Sequence, residues 1–378
     1  MITEPLTTAD ELEIRDVVVD FTRTTFTSER VRAAALTPRG YDEVAWKQMV
    51  DLGWTGLGIA EDVGGAGLGA IVQCLVHREL GARLAPTPFL GSAGFGAAAL
   101  DVLVDDDEAA HGLLAAVVDG TVQCALALGH GRGWPGHESP SITAQPVDDG
   151  WTVTGSAALV LDAARADVVL VVAALEEGGW RLFQVAASAL TPTPVPLLTV
   201  DVTRTYADLL FDHTPATPIG ASSVTSDRVS LLVDRIAVYL AAEMVGVAIA
   251  CTNQTLDYLR TRHQFGKPLG SFQALKHRCA DVAVAVTVAQ ELVFSAATLI
   301  EADDVTSLAL AAPLALARAG EVMLHATQEA IQLHGGVGFT DEVDIGLYYK
   351  RALGDLELIA SPVDAYARMD LVRTGKTS

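Results

Sequence analysis

Two long apolar helical patterns, Val229–Leu259 and Ala274–Ile300, flank a short stretch that neither can continue through, and the chain is organised around that break. The joining residues read RTRHQFGKPLGSFQ. Phe265-Gly266-Lys267-Pro268-Leu269-Gly270 supplies glycine torsions and a fixed proline φ, so the two helices form a hairpin. Arg262, His263, Lys267 and Lys276 gather cations at this corner of a chain whose formal charge is −22. A local positive site on an acidic protein suggests a bound phosphate or nucleotide. An ordinary capped hairpin with surface charges uses the same residues.

The order of patterns along the chain sets the architecture. Thr8–Phe26 opens with a Thr-x-x-Glu capping box (Thr8, Glu11), Tyr41–Leu52 is a second helix, and the glycines of 53–69 forbid a regular one. Ala70–Leu84, Ser92–Val104 and Ala109–Val118 resume the helical period. From Gly120 the text changes to short β-rich runs: Val122–Leu128, Ser141–Gln145, Trp151–Thr154, Ala157–Leu161, Val168–Ala173, Trp180–Val185 and Ala207–Phe211. Short strands with regular turn signals read as a compact barrel or sandwich. From Ser226 the helical period returns and persists. The expectation is an α+β chain of three parts: a helical domain over 1–119, a β-barrel over 120–222 and a helical bundle over 223–378. Val233–Ala250 carries only Asp234, Arg235 and Glu243 as charges, so this helix belongs in a bundle core or a subunit interface.

Composition excludes several classes of function. With 378 residues, 50% hydrophobic and 19% charged, the chain can bury extensive cores. The negative balance offers no extended basic face for nucleic acid or anionic membrane. The four cysteines stand singly without a C-x-x-C, which argues against a metal site. The first residues, MITEPLTTADELEIRD, lack an apolar signal core, and no 18-residue run free of charge or glycine reads as membrane-spanning. A soluble cytoplasmic protein is expected.

A second stretch, AIQLHGGVGFTDE (330–342), ends a long helix in paired glycines. Glycines let a ligand approach the backbone, and Gln332 offers an amide. A helix C-cap followed by a turn would look the same. The two stretches together are more specific. Arg262-x-x-Phe265-Gly266 with Gln273, then Gln332-x-x-Gly335-Gly336-x-Gly338, resembles the acyl-CoA dehydrogenase family. So do the early loop Gly53-Trp54…Glu61-Asp62-x-Gly64-Gly65-x-Gly67 and Gly155…Ala166-Asp167. The resemblance implies an N-terminal helical domain, a central β-barrel, a C-terminal four-helix bundle, FAD, an acyl-CoA substrate and a tetramer. It further implies electron-transfer flavoprotein or an equivalent acceptor as a partner. Carried over by motif, Arg262, Phe265, Gln332, Gly335, Gly336 and Gln273 would bind the ADP half of a FAD held by the neighbouring subunit.

The departures from the family pattern are informative. Where the family's flavin-facing strand has Leu-Thr-Glu-Pro, this chain has Ala125-Leu126-Ala127-Leu128. Where the next has Trp-Ile-Thr-Asn, this chain has Leu159-Val160-Leu161-Asp162. Leu161 lacks the hydroxyl that bonds the flavin ring. The family's general base falls on Ala360 by one alignment and on Ile236 by the other. The nearest acid on that helix, Glu243, lies two turns along on nearly the same face. In so apolar a helix its pKa is expected to rise, as abstraction of a thioester α-proton needs. A structural Glu paired with Arg235 or Arg260 is the other reading, and Glu357 and Asp355 are lesser candidates. Four functions follow: a flavin-pocket-degenerate subunit of a heteromeric dehydrogenase, as some actinobacterial relatives acting on steroid side chains are built; a self-sufficient homotetrameric dehydrogenase with Glu243 as base; a flavin monooxygenase on the same fold; and a non-catalytic binding protein.

Overall fold

The structure is a computed structural model and describes residues 9–105, 107–135 and 140–374. Thr8, the cap expected for the first helix, lies outside them. Helices α1 (Ala9–Thr25), α2 (Ser28–Ala35) and α3 (Glu43–Asp51) open the fold. Thr27 and Asp42 cap the second and third by accepting from backbone N–H groups two or three residues on. After the glycine-rich loop come α4 (Gly69–Ala82), a π-helical segment Leu90–Gly96 that runs into α5 (Ala97–Leu103), and α6 (Glu108–Val118), capped by Asp107.

Six strands follow: β1 (Cys124–Leu128), β2 (Ile142–Val147), β3 (Gly150–Leu161), β4 (Val168–Leu175), β5 (Trp180–Ala186) and β6 (Tyr206–Val224). The expected pair at 151–154 and 157–161 is one strand, β3, with register shifts at Val153/Gly155 and Ala157/Val160. The last strand runs to Val224, well past the expected Phe211. Its Pro215, Pro218 and Gly220 resemble strand breakers, yet Pro215 and Pro218 each pair with a residue of a neighbouring strand. The sheet closes through β4–β2–β3–β6–β5–β4, with β1 parallel to β4 along the same edge as β2.

The closed sheet has two apolar faces. Every residue of β4 is buried. Val169, Val171 and Ala173 join the barrel's interior core with Phe183 and Phe211. Val168, Leu170, Val172 and Ala174 join a larger core shared with the helices. Strand alternation accounts for the split. It also sends Leu126 and Leu128 of β1 out of the barrel, toward the helices.

The C-terminal part is built on α7 (Ser226–Thr261), α8 (Gln273–Glu301) and α9 (Val305–His334). Two shorter helices, α10 (Ile345–Asp355) and α11 (Pro362–Thr374), pack on α9 where one fourth helix was expected. The helix α7 is buried almost continuously from Val229 to Ala248. It also meets α4 at very short range. A Cβ on Gly246 would stand 1.9 Å from the Arg78 carbonyl oxygen, and one on Gly81 would stand 2.2 Å from that of Glu243. The two glycines therefore set the α4–α7 crossing distance. By length and hydropathy α7, α8 and the stretch Val305–Phe339 could each cross a membrane, contrary to the sequence expectation. That expectation required runs free of charge and glycine, whereas alanine and valine keep these helices apolar despite scattered charges. The apolar window of α7 is 78% buried within the protein, so its hydrophobicity serves the core.

Candidate functional site

The hairpin and the glycine pair meet. After α7, residues His263–Gln264 form a two-residue ribbon with Lys267–Pro268, closed by Phe265 at φ 54° and Gly266 at φ 78°. The Tyr258 hydroxyl donates to the His334 carbonyl at 3.2 Å, and the two rings stack with centroids 4.3 Å apart. Tyr258 lies one turn before Arg262, and His334 directly precedes Gly335, so the two motifs share one corner. Arg278 braces it with two bonds to Glu329, 2.6 and 2.8 Å, from α8 to α9.

Arg262, Phe265, Gln273, Gln332, Gly335 and Gly336 are all exposed. Nothing lies within 4 Å of where a Cβ would stand on Gly335 or Gly336. Phe265 is 87% exposed and Phe339 82%, unusual for phenylalanines at a helix corner. A guanidinium, a side-chain amide, uncovered backbone and two bare aromatic rings suit a diphosphate joined to a heterocycle. These residues fit the ADP half of FAD.

The strands that the resemblance assigns to the flavin ring meet across a single cavity of about 320 Å³. Leu126 and Leu128 of β1 line one side, and Leu159, Val160 and Leu161 of β3 line another. Ile236 and Ile359 complete the wall, so the base position on α7 and the neighbour of Ala360 reach the same space. Both are aliphatic. Leu159 sits at the second irregularity of β3, at φ 53°, and its N–H donates to Asp208. Polar groups gather at the rim: Ser141, Ser156, Arg132 and Glu357. Arg132 donates to Glu357 at 2.7 Å and to the Leu356 carbonyl at 3.0 Å, and Gly133 N–H donates to the Ile359 carbonyl at 2.7 Å. The loop after β1 is thereby fastened to the segment after α10. A ring with several polar edges meets leucine here, and each edge left unpaired costs about 1–3 kcal/mol. The cavity wall does not fit the isoalloxazine ring.

Glu243 lies elsewhere, and its environment corrects the expectation. Its carboxylate accepts from Arg351 at 2.7 Å and from Arg204, and its side chain is 5% exposed. Neither Arg235, which pairs with Asp101, nor Arg260, which pairs with Asp257, is its partner. Burial alone would raise the Glu243 carboxyl, but Arg204 and Arg351 outweigh it and hold it below the usual range. The expected raised pKa is thus reversed. Arg351 also binds Asp201 at 2.8 Å, and Arg204 lies 3.5 Å from Asp355. Burial pushes Asp355 up to about 7 against the pull of Arg204. Among the described residues, its two oxygens and the buried Tyr206 hydroxyl make no hydrogen bond. This cluster ties the β5–β6 connection to α7 and α10. Sequence reasoning missed it because Arg204 and Arg351 stand 39 and 108 residues from Glu243. The one hint was Glu243 as the single charged residue between positions 236 and 250 of α7. Of the lesser candidates, Glu357 reaches the cavity and Asp355 does not.

A helical front, a closed sheet and a helical back enclosing a cavity at their junction, with an exposed nucleotide-type corner, define the class of acyl-CoA dehydrogenase-fold proteins. The family model for the acyl-CoA dehydrogenase N-terminal domain matches residues 8–106, and that for the C-terminal domain matches 228–356. The acyl-CoA dehydrogenase IpdE2 of Mycobacterium tuberculosis is 32% identical over 341 residues, 90% of each chain. The IpdE2 of Mycolicibacterium smegmatis is 32% identical over 94% of this chain and 96% of its own. Among solved structures, a Tcur3481-Tcur3483 steroid acyl-CoA dehydrogenase variant superposes with a TM-score of 0.85 at 27% identity, covering 98% of this chain and 99% of its own. The ChsE4-ChsE5 complex of Mycobacterium tuberculosis gives 0.88 at 23% identity, covering both chains fully, a likeness of fold. The chain belongs to the acyl-CoA dehydrogenase family, whose members are flavoprotein oxidoreductases acting on CH–CH bonds.

Proposed function

We propose that this chain is the flavin-pocket-degenerate subunit of a heteromeric, FAD-dependent acyl-CoA dehydrogenase acting on a bulky acyl group of steroid side-chain type. The observation that carries the reading is the cavity wall. Leucines stand where the ring needs polar partners, and Ile236 and Ala360 stand where a base is needed. Meanwhile the corner for the ADP half keeps its full set of residues. Arg262, Phe265, Gln273, Gln332, Gly335 and Gly336 would reach across a protomer contact to a FAD whose ring lies in a homologous partner. FAD, when bound, supplies hydride acceptance from the acyl β-carbon, with electrons passing on to electron-transfer flavoprotein or an equivalent acceptor.

In this chain Arg262 would hold the diphosphate in place and the bare glycines would let it approach the backbone. The proton at the α-carbon would be taken by a carboxylate of the partner. Glu243 is committed to two arginines, a structural role. The two-component name and the steroid label of the Tcur3481-Tcur3483 relative support this reading. The test is co-expression with a homologous subunit and measurement of flavin and activity. Flavin at one per two chains, with acyl-CoA oxidation only in the mixed complex, is expected. Full loading and turnover by this chain alone would instead favour the self-sufficient enzyme.

A further inference from the structure

The cavity left by the missing flavin partners is not filled by side chains, although its wall positions carry large aliphatic residues. About 320 Å³ remain between β1, β3, the π-helical segment at Phe95, α7 at Ile236 and the segment at Ile359. That falls in the range of small-molecule sites, which bury an apolar body and fix it with a few polar groups. The lining here has that arrangement. Leu126, Leu128, Leu161 and Ile236 form the floor and sides, and hydroxyls of Ser141 and Ser156 stand at the exposed rim. Arg132 is paired with the Glu357 carboxylate and also donates to the Leu356 carbonyl, so the rim offers little net charge to draw an anion inward.

From this we infer that the cavity is a binding site for the polycyclic hydrocarbon body of a ligand, with a hydroxyl or carbonyl at one end meeting the rim serines. Water gains few hydrogen bonds against such walls, and displacing it by apolar surface is favourable. A fused-ring ligand also loses little conformational freedom on entering a compact space, whereas a linear chain of similar carbon count loses much more. A flavin ring brings polar edges that the leucines cannot meet. The inference rests on the proposed loss of the flavin ring site in this chain, and assigns the vacated volume a different ligand.

Calorimetric titration of the purified complex below micellar concentrations tests it, with deoxycholate as the fused-ring probe, decanoate as the linear one and lumiflavin as the bare ring. Deoxycholate is expected to bind saturably at one per copy of this chain, decanoate at least ten-fold more weakly, and lumiflavin not measurably. Leu128→Trp, which fills the cavity, and Ala158→Trp, at its exposed rim and so less dependent on core repacking, should each weaken deoxycholate at least ten-fold. Decanoate binding as tightly as deoxycholate, lumiflavin binding more tightly, deoxycholate failing to saturate, or unchanged binding in both variants would each overturn the inference. Flavin content is read in the same preparation. One flavin per two chains without deoxycholate binding overturns this site and leaves the subunit reading standing, whereas one flavin in each copy of this chain overturns both.

Discussion

Replacing Glu243 by glutamine separates a catalytic role from a structural one. Its carboxylate is the shared acceptor of two buried guanidiniums, Arg204 and Arg351, whose side chains are 8% and 1% exposed. Removing one partner of a buried ion pair typically costs about 3–5 kcal/mol, because the remaining charge stays buried without its counter-charge. Arg351 keeps Asp201, and Arg204 keeps Asp355 at 3.5 Å, so the loss should fall near the lower end. Glu243→Gln should therefore lower the unfolding free energy by about 3 kcal/mol. The assay is urea denaturation at pH 7, followed by far-ultraviolet circular dichroism, on wild type, Glu243→Gln, Arg204→Met and the double variant. The double variant should be less destabilised than the sum of the single ones, since each single change strands a charge that the pair removes together. Unfolding within 0.5 kcal/mol of wild type (roughly the scatter of a surface substitution), with turnover of the complex abolished, would refute the structural reading and restore Glu243 as a base.

Three further outcomes follow. Asp355 has its folded pKa raised from 3.8 to about 7, so its contribution is fully present below the unfolded value and is lost as pH rises through 7. The groups facing it are Arg204, Glu243, Arg351, Asp201 and Tyr206. The stability gained by Asp355→Asn over wild type should grow by about 2 kcal/mol between pH 5.5 and 8 in paired denaturation curves. The difference is the readout because His77 and His130, both lowered to about 4 by burial, pull the wild-type curve the other way. Gly246→Ala forces α7 away from the Arg78 carbonyl and should destabilise by about 1–3 kcal/mol in the same assay, since backbone on the facing helix cannot yield. Arg262→Ala should weaken flavin retention by the complex at least ten-fold on dialysis while leaving the unfolding midpoint unchanged, because the side chain is exposed and is not part of the packed core.

The parts legible in sequence are those written in local pattern. The helix–hairpin–helix at 229–300 and the glycine pair at 335–336 were readable because helical period and breaker residues are short-range signals. Their convergence was readable only through resemblance, and the Tyr258–His334 stack supplies its physical basis. The leucines at 126, 128, 159 and 161 could be noticed as departures, but their meeting in one cavity depends on strand alternation and on packing between the two cores. The partners of Glu243 were illegible. An apolar helix gives no hint that arginines from the β5–β6 connection and from α10 will converge on it, so burial alone suggested a raised pKa. The long β6 was underestimated because proline normally ends a strand, and here the neighbours tolerate the missing donors.

The most direct test of the account is the visible spectrum of this chain purified alone and then co-purified with a homologous subunit, with flavin counted per polypeptide. The account predicts a colourless chain by itself and one flavin per two chains in the complex, bleached by acyl-CoA without oxygen. A yellow chain carrying one flavin per copy, bleached by acyl-CoA with no partner present, would contradict it.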